Sequence, residues 1–143
     1  MSKYRKGANA ERELLQLLYR EGYAVVRVAG SGASKLPAPD CLALKKGMQF
    51  AFECKAWKGN YLSISKEQMQ SLLAWSKQAG VPVYIAWRIP RKGWLFIEPT
   101  AFKEGPKSYS ITLNAAVRRG KPLNIFIGKQ KRLNVKLLKS QRT

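Results

Sequence analysis

The sequence predicts an α/β domain in which helices flank a mixed central β-sheet. Its patterns run in the order helix, strand, strand pair, helix and strand pair, which is typical of such a domain. A chain of 143 residues with 45% hydrophobic content is long enough to bury one core. We expect residues 1–105 to form the main unit. Residues 106–143 are expected to be a basic, partly structured extension packed on the same domain.

The first elements are a helix and a strand. Helical spacing of apolar residues predicts a helix over Ala8–Arg20, and Gly22 is expected to end it. Tyr23–Ala29 is rich in β-branched residues and predicts the first strand. The small residues Gly30–Ser34 follow as a loop that could bring backbone close to a phosphate, although a plain flexible turn has the same composition.

One acid interrupts the apolar face of the first helix. Ala10, Leu14 and Leu18 recur at helical spacing, and Glu11 projects within the stripe that they form. A carboxylate on a buried face needs a partner. The alternative is that Glu11 lies in the first turn and interacts with the helix dipole.

A β-hairpin is predicted at the centre of the chain. Two apolar runs, Cys41–Leu44 and Met48–Phe52, flank a Lys45-Lys46-Gly47 break, a pattern typical of two strands joined by a tight turn. Pro39 fixes the approach to the first of them. Counting outward from a turn centred on Lys46 and Gly47 gives three pairs: Leu44 with Gln49, Leu42 with Ala51, and Asp40 with Glu53.

The second half continues with a helix and two strands. Ser65 and Gln68 form a capping box that opens a helix to about Ala79, after an exposed loop over Ala56–Tyr61. Pro82–Arg88 and Trp94–Glu98 are predicted strands. Two further strands are expected in the basic extension, at Leu123–Ile127 and Asn134–Leu138.

The hairpin register places two acids and an amine together. Residues directly opposite in an antiparallel pair have Cβ atoms about 5 Å apart, so Asp40 and Glu53 should be close. Lys55 shares the face of Glu53 because side chains alternate along a strand. Two carboxylates so close repel each other unless a cation neutralises them. A divalent metal with hard oxygen ligands, such as Mg²⁺, fits this position.

Composition favours a nucleic-acid partner and excludes several chemistries. The 27 Lys and Arg against 8 Asp and Glu give a net charge of +19, which indicates a polyanionic partner. The absence of histidine excludes imidazole bases and catalytic triads. Cys41 and Cys54 are predicted to be free thiols on neighbouring strands, and a structural zinc site is excluded. Without a long apolar run or a signal-peptide core, the protein is expected to be cytoplasmic and nucleoid-associated.

Asp40, twelve further residues and Glu53-x-Lys55 match the PD-(D/E)xK nuclease signature. Together with the opening YRKGANAERELLQLLYREGYAVVRVAGS, the pattern resembles the Hjc-type archaeal Holliday junction resolvases over roughly residues 3–98. The resemblance implies a restriction-endonuclease-like nuclease core over residues 1–105. It also implies a homodimeric, Mg²⁺-dependent endonuclease that makes paired symmetric nicks in four-way DNA junctions. No membrane and no small-molecule cofactor are expected, and Mn²⁺ is expected to substitute for Mg²⁺.

The resemblance also assigns residues by position. The main-chain carbonyl of Cys54 is expected to join the acids at the metal, Lys55 is the catalytic lysine, and Ser31 matches a serine near the active site. Arg5 matches a DNA-contacting basic residue, and Gln68 a supporting polar residue. In full, from the resemblance and the residues together, we expect metal ligands at Glu11, Asp40, Glu53 and Cys54, catalytic residues at Glu11, Ser31, Asp40, Glu53 and Lys55, and DNA contacts at Lys3, Arg5, Lys6, Ser31, Gln68, Arg118 and Arg119.

Two alternatives remain at this point. A related PD-(D/E)xK nuclease acting on ordinary duplex DNA would carry the same catalytic residues, so only the choice of substrate separates it from a junction resolvase. A non-catalytic basic DNA-binding protein would account for the net charge of +19. It would leave Glu11 on an apolar face unexplained. From Lys107 onward the chain has ten Lys and Arg and no acid, which favours binding to the phosphate backbone without reading sequence.

Overall fold

The computed structural model describes residues 3–28 and 36–128. Its helices are α1 (Lys3–Arg20), α2 (Lys66–Ala79) and α3 (Leu113–Arg119), with a 3-10 turn at Pro99–Ala101 and a helical segment over residues 123–128. Its strands are β1 (Ala24–Arg27), β2 (Cys41–Lys45), β3 (Met48–Ala56), β4 (Tyr61–Ser65), β5 (Val83–Ile89), β6 (Gly93–Ile97), β7 (Lys103–Glu104), β8 (Ser108–Thr112) and β9 (Lys121–Pro122).

The predicted mixed sheet with flanking helices is confirmed. Six strands form one sheet in the order β1-β2-β3-β5-β6-β9, and only β3 and β5 in it run parallel within the described residues. The connection between these two strands contains β4 and α2, because parallel neighbours need a long crossover. A second, three-stranded sheet has the order β4-β8-β7. None of the helices in the described ranges is long and apolar enough to cross a membrane.

The hairpin formed by β2 and β3 has the predicted register. Leu42 pairs with Ala51 and Leu44 with Gln49. The turn places Lys46 at φ 44° and Gly47 at φ 85°, and positive φ at both central residues is the requirement of a two-residue type I′ hairpin. The ladder ends with Cys41 opposite Phe52, so Asp40 and Glu53 come next in register, directly beyond it.

The two faces of the large sheet are covered by different helices. Leu14 and Leu18 of α1 are buried in a cluster that contains Phe50, Phe52 and Phe96. On the opposite face Met69 and Leu72 of α2 pack with residues of β5, as the helical spacing predicts. The residues of β5 that are buried in this core with α2 are Val83, Ile85, Trp87 and Ile89.

Both long helices end where the sequence places a glycine. Gly22 has φ 91° after α1, and Gly80 caps α2 in the left-handed conformation, which glycine adopts without strain. Ser65 accepts a hydrogen bond from the Gln68 amide at 3.1 Å, so the predicted start of α2 is confirmed. The start of α1 differs, since that helix begins at Lys3 and not near Ala8.

The predicted strand at Leu123–Ile127 is wrong, because this segment is helical. Its buried residues, Phe126 and Ile127, and the partly buried Leu123 lie at positions i, i+3 and i+4 of a helix, whereas Ile125 is half exposed. Phe126 stacks on Phe96 with ring centroids 4.6 Å apart. The predicted strand at Asn134–Leu138 lies outside the described residues.

The small sheet was missed by the sequence reasoning. The segment predicted as an exposed loop over Ala56–Tyr61 is bounded by two strands, since β3 continues to Ala56 and β4 starts at Tyr61. In β4 buried Leu62 and Ile64 alternate with exposed residues, a period-2 pattern that predicts a half-buried strand. The strand has only five residues, and the capping box directly after it is a stronger signal, which predicts a helix.

Candidate active site

Asp40 and Glu53 meet at the end of the hairpin, as the register predicts. Glu53 is the only charged residue in the described ranges whose side chain is fully buried, with 6% of the residue exposed. Burial, the charge of Asp40 and a hydrogen bond to Asp40 raise the pKa of Glu53 from 4.5 to about 8, although the Lys55 ammonium acts to lower it. Glu53 therefore holds a proton near neutral pH, next to the carboxyl group of Asp40.

The backbone holds Asp40 from both neighbouring strands. Its amide donates to the Phe52 carbonyl at 3.0 Å, and its carbonyl accepts from the Val28 amide at 2.8 Å. One carboxylate oxygen accepts the Cys54 amide at 2.9 Å. Pro39 immediately before it is fully buried. Asp40 is thus fixed in position although it lies outside any regular element.

Gln68 links the two polar side chains of β3. Its amide nitrogen donates to Glu53 Oε1 at 2.5 Å, and its amide oxygen accepts from Lys55 Nζ at 3.0 Å. Lys55 Nζ lies 3.7 Å from the same Glu53 oxygen. The first turn of α2, fixed by the Ser65 cap, delivers Gln68 to this position. The structure therefore brings Gln68 into the cluster of Asp40, Glu53 and Lys55.

Glu11 lies beside the cluster in an ion pair. Arg27 Nε donates to Glu11 Oε2 at 2.8 Å, and the two side chains are 28% and 17% exposed. Glu11 is far beyond the first turn of α1, so the helix-dipole alternative is wrong. Its charge is the weakest of the influences that raise the pKa of Glu53. Arg27 was not predicted, although a lone cation within the apolar run YAVVRVA is a signal for such a partner.

Cys41 and Cys54 are free thiols, as predicted. Their sulfur atoms are 3.6 Å apart. The hydrogen bond to Cys41 and burial raise the pKa of Cys54 well above its ordinary value. The Cys54 side chain is therefore a neutral thiol. Only its main chain is positioned to serve the acid pair, through the bond from its amide to Asp40.

The remaining predicted residues lie on other elements. Arg5 and Lys6 are exposed near the start of α1, and Arg118 and Arg119 are exposed in the last turn of α3. Lys3 is the first residue of α1. Ser31 and the loop that contains it lie outside the described residues.

The donor set around Asp40 suits a divalent cation. Within residues 3–28 and 36–128 no three acidic or sulfur side chains form a complete ligand set for a metal ion. Two adjacent carboxyl groups, one of them protonated, are nevertheless a place where a hard cation can replace the proton. The residues of this chain that could hold such a cation are therefore Asp40 and Glu53, with main-chain oxygens and water to complete the shell.

The architecture recurs in nucleases. A bacterial homing endonuclease, I-Ssp6803I, matches 92% of this chain and 97% of its own with a TM-score of 0.63 and 12% identity, which shows a shared fold. The structure of Archaeoglobus fulgidus Hjc, a Holliday junction resolvase, matches with a TM-score of 0.76 and 32% identity over 83% of this chain and 96% of its own. The fold and the acid pair define a nuclease of the restriction-endonuclease-like class.

Sequence comparison identifies the family. The model of the archaeal Holliday junction resolvase (Hjc) family matches residues 2–135. The crossover junction endodeoxyribonuclease Hjc of Archaeoglobus fulgidus is 35% identical over 106 residues, 74% of this chain and 78% of the relative. Its namesake from Methanocaldococcus jannaschii is 36% identical over 132 residues, 86% of this chain and 95% of the relative. The chain belongs to the Hjc family of archaeal Holliday junction resolvases.

Replacement of Gln68 by alanine tests the bridge between Glu53 and Lys55. We expect the cleavage rate at saturating protein to fall about 10- to 100-fold, as for loss of a partner that orients a catalytic group. The Kd for uncleaved DNA should stay within about twofold, an order-of-magnitude expectation for a group that contacts no substrate. The rate is measured in single turnovers and the Kd by fluorescence anisotropy.

Gln70→Ala is the matched control, because this exposed glutamine lies two residues further along the same helix. It should change neither quantity. A weakened Kd with an unchanged saturated rate for Gln68→Ala would instead identify Gln68 as a DNA contact and contradict its role in orienting Glu53 and Lys55.

Proposed function

We propose that this protein is a homodimeric, Mg²⁺-dependent endonuclease that resolves four-way DNA junctions by paired, symmetric nicks. The observation that carries the proposal is the pairing of Asp40 with the buried Glu53, with Lys55 on the same face as Glu53. Membership of the Hjc family supports the choice of substrate. The cytoplasm, where chromosomal DNA lies, is the proposed location, and no small-molecule cofactor is required.

Asp40 and Glu53, with the main-chain carbonyl of Cys54, would hold the Mg²⁺. The ion would supply a bound water of lowered pKa and neutralise charge on the phosphate; Mn²⁺, which takes the same ligand types, is proposed to substitute. As a ligand of that cation Glu53 would be ionised, because a metal ligand must be deprotonated. Cys54 contributes a second interaction, since its amide fixes the carboxylate of Asp40.

Lys55 is the proposed electrophilic group. Gln68 holds its ammonium through one N–H at 3.0 Å, and an ammonium has three donors, so others are free to face a phosphate oxygen or the attacking water. A fixed cation aimed at the developing charge stabilises the transition state more than the ground state. Lys55 therefore needs the bond to Gln68 to stay in place when the substrate arrives.

Glu11 is proposed to act from the edge of the site. Its ion pair with Arg27 holds a third carboxylate beside the pair of Asp40 and Glu53. From there it can complete the cation's shell or orient a metal-bound water. Ser31, close in sequence to Arg27, is proposed to approach the same phosphate.

Basic residues outside the site are proposed to bind the phosphate backbone. Arg5, Lys6, Arg118 and Arg119 are exposed, and Lys3 extends the first of these groups in sequence. A DNA contact by Gln68 is the alternative to its role in orienting Glu53 and Lys55, and a weakened Kd for Gln68→Ala would show it. With a net charge of +19 the affinity should fall steeply with salt and depend little on sequence.

A homodimer follows from the proposed reaction. Two nicks placed symmetrically on opposite strands require two active sites related by a two-fold axis, which a pair of identical chains supplies. Each protomer of such a dimer would hold one strand at its own Asp40, Glu53 and Lys55.

Incubation with a synthetic four-way junction and with a linear duplex of the same arms tests this function. With Mg²⁺ we expect nicks at symmetric positions near the branch point of the junction, with the linear duplex left intact. EDTA should abolish them, because Asp40 and Glu53 then lack the cation. The cut positions are mapped on sequencing gels with each strand labelled in turn.

The alternatives give different results in the same experiment. Equal cutting of both substrates would show a duplex nuclease in place of a resolvase. Binding of both without any Mg²⁺-dependent cut would show a DNA-binding protein without catalysis. Either result would overturn the proposal.

A further inference from the structure

Two exposed aromatic side chains bracket a loop beside the candidate active site. Trp57 and Tyr61 are 49% and 61% exposed, and the residues between them, Lys58, Gly59 and Asn60, are exposed as well. Leaving so much aromatic surface in water is unfavourable. An exposed aromatic next to a charged site is therefore a candidate for contact with a flat partner.

The loop that carries Trp57 is held in place at both ends. The Trp57 carbonyl accepts the indole N–H of Trp87 at 3.0 Å, and the Asn60 carbonyl accepts the Leu113 amide at 2.7 Å. Gly59 lies against the indole, since a Cβ there would be 3.0 Å from Trp57 Nε1. The indole is thus positioned by its neighbours while about half of the residue stays open to solvent.

Trp57 is close to the proposed catalytic lysine along the chain. It follows β3 directly, two residues after Lys55, and two residues span at most about 7 Å. The indole can therefore reach a base within about one nucleotide of the phosphate that Lys55 would contact. Lys58, next in the chain, adds a positive charge for the backbone of that nucleotide.

The chemistry of the site favours a base as the partner. In the interior of a duplex every base pair is covered on both faces by its neighbours, so an indole has no base to stack on there. At the branch point of an opened four-way junction the last base pair of an arm has one uncovered face. Aromatic stacking on a base does not depend on sequence, which suits a nuclease that reads structure.

We propose that Trp57 stacks on the uncovered base pair at the branch point and thereby selects junctions over linear duplex. The inference rests on the proposed junction-resolving function and names the residue that distinguishes its substrate. Phosphate contacts are available on both DNA forms. Away from the ends of the DNA, a free base-pair face is found at the branch point of the junction and not in the duplex, so a stacked Trp57 adds to the preference for the junction.

The test compares full-length wild type, Trp57→Ala and Trp57→Phe on a junction and on a duplex of the same arms, with the ends of both DNAs closed by hairpin loops and without Mg²⁺ so that neither is cut. Anisotropy gives the two Kd values. We expect Trp57→Ala to weaken junction binding about 10- to 100-fold, the range of one lost base stack, and duplex binding less than about twofold. Trp57→Phe should retain most of the junction affinity, because a smaller ring still stacks.

A spectroscopic reading reports the stack directly. A 2-aminopurine placed at the branch point should lose fluorescence when wild type binds and should keep it with Trp57→Ala. Tyr19→Ala is the matched control, since Tyr19 on α1 is 66% exposed and is assigned no role in stacking. It should leave the junction-to-duplex ratio and the quenching unchanged.

Each other outcome contradicts the role of Trp57. An unchanged junction-to-duplex ratio for Trp57→Ala, equal weakening on both substrates, or unaltered quenching would overturn the stack while wild-type junction cleavage upholds the proposed function. A change of sedimentation coefficient in Trp57→Ala would place the indole in a protein interface instead. Wild type that neither prefers nor cuts junctions would overturn both proposals together.

Discussion

Replacement of Asp40 by asparagine is expected to abolish junction cleavage while leaving junction binding close to that of the wild type. The asparagine side chain keeps the shape of the aspartate side chain but has no negatively charged oxygen. Together with Glu53 it should therefore no longer hold a divalent cation tightly. Glu53→Gln should have the same effect, because it removes the other carboxylate of the pair. Lys55→Ala removes the ammonium group that is proposed to face the phosphate. We expect each rate to fall by about 10³-fold or more.

The measurement is a single-turnover rate on a four-way junction at saturating protein, paired with the Kd for that junction. Glu98→Gln and Lys92→Ala are the matched controls, because both residues are exposed and belong to the β6 end and the β5–β6 turn. They should leave the rate unchanged. If any of the three site variants retained metal-dependent nicking at the wild-type rate, the catalytic role proposed for that residue would be wrong.

The sequence is sufficient to predict the hairpin that holds Asp40 and Glu53. The alternation of apolar residues specifies which side chains share a face, and Lys46-Gly47 fixes the turn, so the register follows by counting. Short-range rules determine this part of the site because its two strands are adjacent in the chain. The residue spacing alone therefore brings two acids and Lys55 to one place.

The partners of those residues lie on elements that are distant in sequence, so counting along the hairpin does not predict them. Gln68 reaches Glu53 from the first turn of α2, and Arg27 reaches Glu11 across the contact of α1 with β1. These contacts depend on how elements pack, which local pattern does not specify. Local pattern also fails for the helical segment at residues 123–128, since over five positions its apolar residues fit both the period of a strand and the period of a helix.

The family resemblance places the site residues, whereas the structure adds their interactions. Matching positions assign Glu11 as a metal ligand, but the structure pairs it with Arg27. Gln68 matches a supporting polar residue, and its two hydrogen bonds give that support a physical form. Because the side-chain amide of Gln68 binds both Glu53 and Lys55, the orientations of these two side chains depend on each other.

Glu53 should make the stability of the metal-free protein depend on pH. Its pKa is raised from 4.5 to about 8 by burial and by Asp40, so between these values the folded state binds more protons than the unfolded state. Stability is therefore expected to fall as pH rises from about 5 to 8, by at most about 1.4 kcal/mol per pH unit. Thermal unfolding with EDTA at stepped pH values measures the slope.

Mg²⁺ should reverse this trend, because it binds the ionised pair. Its stabilising effect is expected to grow with pH up to about 8, and binding near pH 7 should release up to about one proton, measurable by calorimetry in buffers of different ionisation enthalpy. Glu53→Gln should flatten the pH slope and remove the proton release, whereas Glu98→Gln, an exposed acid, should do neither. A Mg²⁺ effect that is independent of pH in the wild type would mean that the cation does not displace the proton of Glu53.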